Sequence, residues 1–241
     1  MLFKKGVVTL DCYTKRKDVY EYSRIKRGIN SYPDWWKNLP KSGYADVNGA
    51  PNIDPDLTMR SCAGFIDLFK NSWSMPLWCD FRIVDAGINA EHTQVVYADR
   101  ISEADFHGHY QYGDLCDPAK YQHIKILSPW LMFCNSDVDW AWIPPVWHTI
   151  EYDQLNFLPA VANFRANHIS HINFFLRRMD EPSSLTIPFG TPIQHFVPLT
   201  ERRVEVKCHL VDEVEYKKLE DISCHRFKFL NDYSLRKRLK K

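Results

Sequence analysis

The chain lacks most of the short signatures that announce a reaction. Its seven cysteines include no C-x-x-C pair, so a zinc ribbon or a thioredoxin-like site is not expected. There is no G-x-S-x-G elbow and no G-x-x-x-x-G-K-[ST] phosphate loop. None of the ten histidines is followed two residues later by an acid, which removes the facial triad of iron oxygenases. No apolar run reaches the length of a membrane-spanning helix, about 18 residues. The N-terminal M-L-F-K-K-G-V-V-T-L-D has no long apolar stretch and no small-residue cleavage site, so a secretory leader is not expected. Excess charge is missing too: 31 basic residues stand against 30 acidic ones, for a net +1, and no global field for nucleic acid or membrane follows. Internal repeats and low-complexity segments are also absent.

What the chain does have is aromatic mass. Aromatics make up 14% of its 241 residues, with eight Trp, so rings must fill much of the core. Cys12, Cys62, Cys79, Cys116, Cys134, Cys208 and Cys224 are scattered, odd in number and mostly beside apolar residues. They read as buried, reduced thiols acting as small hydrophobes, which fits a cytosolic setting.

The organisation is that of one domain over 1–241. Residues 1–122 form an N-terminal part with a first strand at 6–13, a short helix at 32–41, a helix at 59–71 and strands at 75–84 and 93–98. A basic, polar stretch at 14–30 and polar loops at 42–58 and 103–122 separate them. Residues 123–211 carry short strands in quick succession: 123–134, 138–143, 146–151, 155–164, 169–177, 184–187, 193–199 and 203–211. Residues 212–241 are a helix over 212–221, capped by Asp212, and a basic tail. The fold class expected is mainly β: an antiparallel jelly roll or double-stranded β-helix, cupin-like, with a short helical preface and a C-terminal helix. Period-two patterning predicts burial of Ile124, Ile126, Trp130, Phe157, Ile172, Phe174, Ile193 and Val197. The F-G-T-P turn predicts a positive φ at Gly190.

Histidine is the natural place to look for chemistry. His107 and His109 form H-x-H, and at i and i+2 of a strand two imidazoles point the same way, as metal ligands in cupins do. Asp114 lies near where a cupin glutamate would fall, and His195 is the distal candidate. The pattern departs from the cupin one. No glycine precedes the first His, Gly190 and His195 are too far apart, and the H-x-H sits in a polar stretch. The preferred reading is therefore hydrogen-bonding histidines without a cofactor. The alternative is a divalent transition metal on His107, His109 and His195. His168 and His171 fall on opposite sides of an alternating strand, a structural arrangement. Ser128 precedes a proline suited to a strand kink, and Asp137 and Asp139 are a common surface pair. No catalytic residue is assigned.

The termini are basic. Residues 1–41 hold ten Lys or Arg against four acids, and residues 226–241 hold seven against one, with Phe227, Phe229 and Tyr233 interleaved. Such a tail suits an acidic protein surface or, more weakly, a phosphate backbone.

Several motifs in order carry a resemblance. They are C-A-G-F-I-D-L-F-K and M-P-L-W-C-D-F within 62–81, S-P-W at 128–130, P-P-V-W at 144–147, and F-G-T-P-I-Q-H-F-V-P-L at 189–199. Together they resemble an uncharacterised family found in tailed phages, especially marine ones, and in some bacteria, over roughly residues 7 to 211. The resemblance implies a cupin-like β-sandwich and a phage origin, and it transfers no catalytic residues. The expectation is a non-enzymatic structural or assembly protein, working through subunit contacts as a homo-oligomer or in a phage assembly. It would act in the host cytoplasm or the virion, away from membranes. The alternative is a cupin-like metal-dependent enzyme or small-molecule binder.

Overall fold

A computed structural model describes residues 6–43, 46–47, 50–51, 56–88, 93–165 and 168–223. The basic tail at 226–241 and Cys224 lie outside the described residues.

The first strand shows the rule that builds the rest. In V-T-L-D-C-Y-T, Val8, Leu10, Cys12 and Thr14 are buried while Thr9, Asp11 and Tyr13 are half-exposed. A period of two is what a pleated strand imposes when one face is covered. In chain order the strands are β1 (Val8–Thr14), β2 (Lys26–Arg27), β3 (Ser42–Gly43), β4 (Asp46–Val47), β5 (Ala50–Pro51), β6 (Asp56–Leu57) and β7 (Trp73–Pro76). Then come β8 (Phe81–Asp85), β9 (Thr93–Tyr97), β10 (Ala104–His107), β11 (Tyr121–Cys134), β12 (Asp139–Ile143) and β13 (Leu155–Phe157). The last are β14 (Ala160–Asn163), β15 (Ile169–Arg177), β16 (Ser183–Ile187), β17 (Pro192–Pro198) and β18 (Val204–Leu210). Helices are α1 (Lys17–Tyr22), α2 (Asp34–Asn38), α3 (Ala63–Asn71), α4 (Val146–Thr149) and α5 over 213–223.

Three sheets matter. The first runs β13-β15-β11-β1-β18, with β10 also on β11. The second runs β14-β12-β17-β7-β2 and the third β16-β8-β9. All their pairings are antiparallel except β1 with β18, which is parallel. The chain passes from the first sheet to the second and back: β11, β13, β15 and β18 belong to the first, β12, β14 and β17 to the second. Leu158–Pro159 makes one such crossing, which is why the run 155–164 is two strands instead of one. Side chains from all three sheets share one core. Trp140 sits at its centre, 5.9 Å from Trp73 and 5.9 Å from Phe196 by ring centroids. A ring of that size contributes roughly 4–6 kcal/mol of gross transfer free energy on burial.

Of the residues expected inside, Ile124, Ile126, Trp130, Phe157, Ile172, Phe174 and Ile193 are buried. Val197 is only half-buried. The β17–β7 register shifts between Pro192 and Gln194, so the phase read from Ile193 is lost and Phe196 turns inward in place of Val197.

Other boundaries also differ. Residues 146–151 are not a strand: Val146–Thr149 is one helical turn, closed by bonds from His148 N and Thr149 Oγ1 to the Pro145 carbonyl. The run 75–84 is broken after Pro76, which has no N–H for the ladder, and Leu77 N turns to the Thr191 carbonyl instead. The polar stretch 103–122 contains β10, which exists because β11 pairs with it.

Candidate functional site

Five residues in a row, D-W-W-K-N, form the short helix α2. Adjacent positions on a helix point about 100° apart. Trp36 therefore turns in and donates from Nε1 to the Met59 carbonyl at 3.0 Å, while Trp35 stays 40% exposed. The Trp35 indole N–H donates to the Trp147 carbonyl on α4 at 3.1 Å, with the two rings 6.1 Å apart. Tyr32 stacks on Trp36 at 4.2 Å, and Phe65 and Phe69 of α3 lie beneath. Tyr32, Trp35 and Trp147 border a pocket of about 490 Å³ between α2, α4, the end of β7 and the start of β17. Lys26, Asn30, Asp34, Glu151 and Thr191 supply its polar rim.

His148 lines this pocket, and His195 lies behind it with ring centroids 5.3 Å apart. Phe69 meets both imidazoles edge-on, at 6.0 Å and 5.3 Å. Ser74 Oγ and His195 Nδ1 are hydrogen-bonded at 2.7 Å. The Nε2 atoms of both histidines are buried and have no hydrogen-bond partner among the described residues. Burial pushes His148 down to about 4, assisted by the Lys37 charge. Burial, then His148 beside it, pushes His195 down to about 3. Both rings are neutral at pH 7, poor as general bases but able to accept or donate one hydrogen bond.

The predicted histidines do not form one group. His107 is on β10 of the first sheet, in register with His123 of β11, their rings 4.4 Å apart. Burial holds His107 below its ordinary pKa, with the Lys125 charge adding to it. His109 lies past the end of β10, opening a 3-10 turn and meeting Tyr112 edge-on at 5.3 Å, so the H-x-H does not share one strand. Asp114 sits in the next 3-10 turn. His195 is on β17 of the second sheet, where α3 and α4 pack. No group of three or more His, Cys, Asp or Glu that could hold a metal ion occurs among the described residues. His168 stacks on Phe133 at 3.9 Å and shares a hydrogen bond with the Met132 carbonyl at 3.0 Å, a structural role.

Sequence reasoning missed His148, because P-P-V-W-H-T read as a strand. The signal was there: two prolines followed by a small helical turn. It also missed the pairing of Trp35 with Trp147, which lie far apart in the chain.

The described cysteines are free thiols. Cys12, Cys79 and Cys134 are buried, Cys116 and Cys208 half-buried, and Cys62 exposed, which departs from the expectation of burial. Burial pushes Cys79 and Cys208 up to about 11, which leaves them protonated and unreactive at neutral pH. Among the described residues no helix is long and apolar enough to cross a membrane. Comparison of the chain with protein-family models, with curated proteins and with solved structures gives no match.

Proposed function

We propose that the chain is a non-enzymatic binding and assembly protein on a jelly-roll scaffold, with the Trp35–Trp147 pocket as its contact surface. The shuttling of successive strands between the first and second sheets supports the jelly-roll reading. The resemblance to the phage family supports a role in an assembly, in the host cytoplasm or the virion. One observation carries the binding role: Trp35 is held exposed by the Trp147 carbonyl over a pocket lined by the neutral His148. Exposed, rigidly held aromatics are the residues that anchor protein interfaces. The occupant under this reading is a protein segment with an apolar side chain, from a second copy or another subunit. The basic tail at 226–241 adds electrostatic steering toward an acidic partner.

The test is light scattering on the full chain across concentration, beside Trp35→Ala and a chain lacking 226–241. Self-association or partner capture that falls in either variant supports the reading. A wild-type chain that stays monomeric, and captures nothing that Trp35→Ala does not, overturns it.

A second reading has one observation in its favour. The unpartnered Nε2 atom of His148, which lines the pocket, suits a small molecule that hydrogen-bonds there. A cupin-like metal enzyme using His107, His109 and His195 draws no support from positions on two different sheets. Metal analysis of the purified protein separates these: stoichiometric zinc, iron or manganese restores the enzyme reading.

A further inference from the structure

A second cavity, of about 420 Å³, opens between edge strands of the two main sheets. Arg27 of β2 lies at the edge of the second sheet and Val204 of β18 at the edge of the first. The rest of the wall comes from the end of α3, the start of β7, the end of β17 and the loop before β18. Three of the lining residues are basic, Arg27, Lys70 and Arg202, and none of the described lining residues is acidic.

Both cleft arginines are fixed by neutral partners. Arg27 lies over the Trp73 ring at 4.6 Å and donates from Nη2 to the Lys70 carbonyl at 2.6 Å. Arg202 donates from Nε to the Gly6 carbonyl at 3.0 Å and from Nη2 to Ser136 Oγ at 3.1 Å. Among the described residues neither makes an ion pair, nor does Lys70, whereas adjacent Arg203 pairs with Glu205 at 2.9 Å. These neutral bonds orient both guanidinium groups and leave their charge uncancelled.

One competing explanation is that the cations only serve the C-terminal end of α3, which carries roughly half a negative charge. Arg27 does bond there. Half a charge does not offset three, however, and Arg202 is anchored to Gly6 and Ser136, away from that helix end. Nor does the excess mirror the whole chain, whose net charge is +1.

We propose that this cleft binds the phosphate group of a small organic phosphomonoester. Guanidinium groups match phosphate oxygens in pairs and Lys70 adds a point charge. Asn71 and Thr200 add neutral donors. Val197, Pro198 and Val204 give an apolar wall for the carbon part, which a bare phosphate would not use.

Calorimetric titration at constant ionic strength tests this, with inorganic phosphate, glycerol phosphate, phenyl phosphate and a short single-stranded oligonucleotide as probes. The expected result is saturable binding of a phosphomonoester, tighter than inorganic phosphate. Lys70→Gln and Arg202→Gln should each weaken it about tenfold or more. Lys70 is exposed, and its substitution leaves the Arg27 bond to its backbone carbonyl in place, so that variant tests the charge without unfolding the site. Lack of saturable binding up to about 10 mM, or equal affinity in both variants, overturns the proposal. Binding of the oligonucleotide alone overturns it as well and makes the cleft a nucleic-acid contact.

Discussion

Asp85 and Arg178 are 93 residues apart in sequence and meet in a buried ion pair, Nε to Oδ1 at 3.2 Å. Asp85 closes the end of β8 and is 1% exposed. Its carboxylate also accepts from Gly87 N, Thr93 Oγ1 and Met179 N. Arg178 reaches on to the Gly87 carbonyl. One carboxylate thus ties β8, β9 and the end of β15 together.

Removing it should be expensive. Asp85→Ala breaks the buried pair with Arg178 and strands the Gly87 N, Thr93 Oγ1 and Met179 N donors, a loss of about 3–5 kcal/mol. Lys217→Ala, which breaks solvated pairs with Glu220 and Asp221, should leave stability nearly unchanged. Urea midpoints of the two variants check the contrast. Similar midpoints would show that the buried pair is not special.

The histidine pair predicts acid lability. A folded pKa near 4 for His148 lies below the ordinary 6.5, so the unfolded chain binds the proton more readily. Stability from this source is full above pH 6.5 and drains away as pH falls toward 4. The loss is on the order of 3 kcal/mol across that window, at about 1.4 kcal/mol per unit. His195→Asn retains a hydrogen-bond partner for Ser74 Oγ and removes one of the two titrating rings. Its stability should fall less steeply between pH 6.5 and 4 than that of the parent. Superimposable slopes would count against the assignment.

Gly190 has φ +80°, and a Cβ there would meet nothing within 4 Å. Gly190→Val should therefore destabilise by backbone strain alone, about 1 kcal/mol or more. Gly64, inside α3 and equally open, is the control, where Gly64→Ala should be neutral or stabilising by up to about 1 kcal/mol. Thermal unfolding of both variants separates strain from crowding, and equal shifts would refute the strain argument.

Trp35→Ala should separate binding from folding. The side chain is 40% exposed, and its removal gives up ring contacts with Phe65 and Trp147 and the bond to the Trp147 carbonyl. The cost should be about 1–2 kcal/mol, a fall of a few degrees in melting temperature. Trp36→Ala, which empties a buried site and strands the Met59 carbonyl, should cost about 3–5 kcal/mol. If Trp35→Ala proved as damaging as Trp36→Ala, the exposed ring would be a structural residue.

The β-rich character of the chain was legible because burial on one face writes a period of two into each strand. Ile124, Ile126 and Trp130 were assignable to the core on that pattern, and Gly190 to a positive φ from its turn. Such readings need only neighbours within a few residues. The pattern failed where one residue shifted the phase, as at the β17 bulge that turns Val197 outward. It failed again where a strand exists only because a distant partner pairs with it, as β10 does on β11.

Both cavities belong to that second kind. His195 was visible as a candidate, but its neighbour His148 arrives on a helical turn from another part of the chain. Trp35, Trp147 and Phe69 meet for the same reason, and so do Arg27, Lys70 and Arg202 at the open edge between the sheets. Alternation records which face of an element is buried. It does not record what covers that face, because the covering residues are chosen by how sheets and helices stack, through contacts whose sequence separation leaves no local trace.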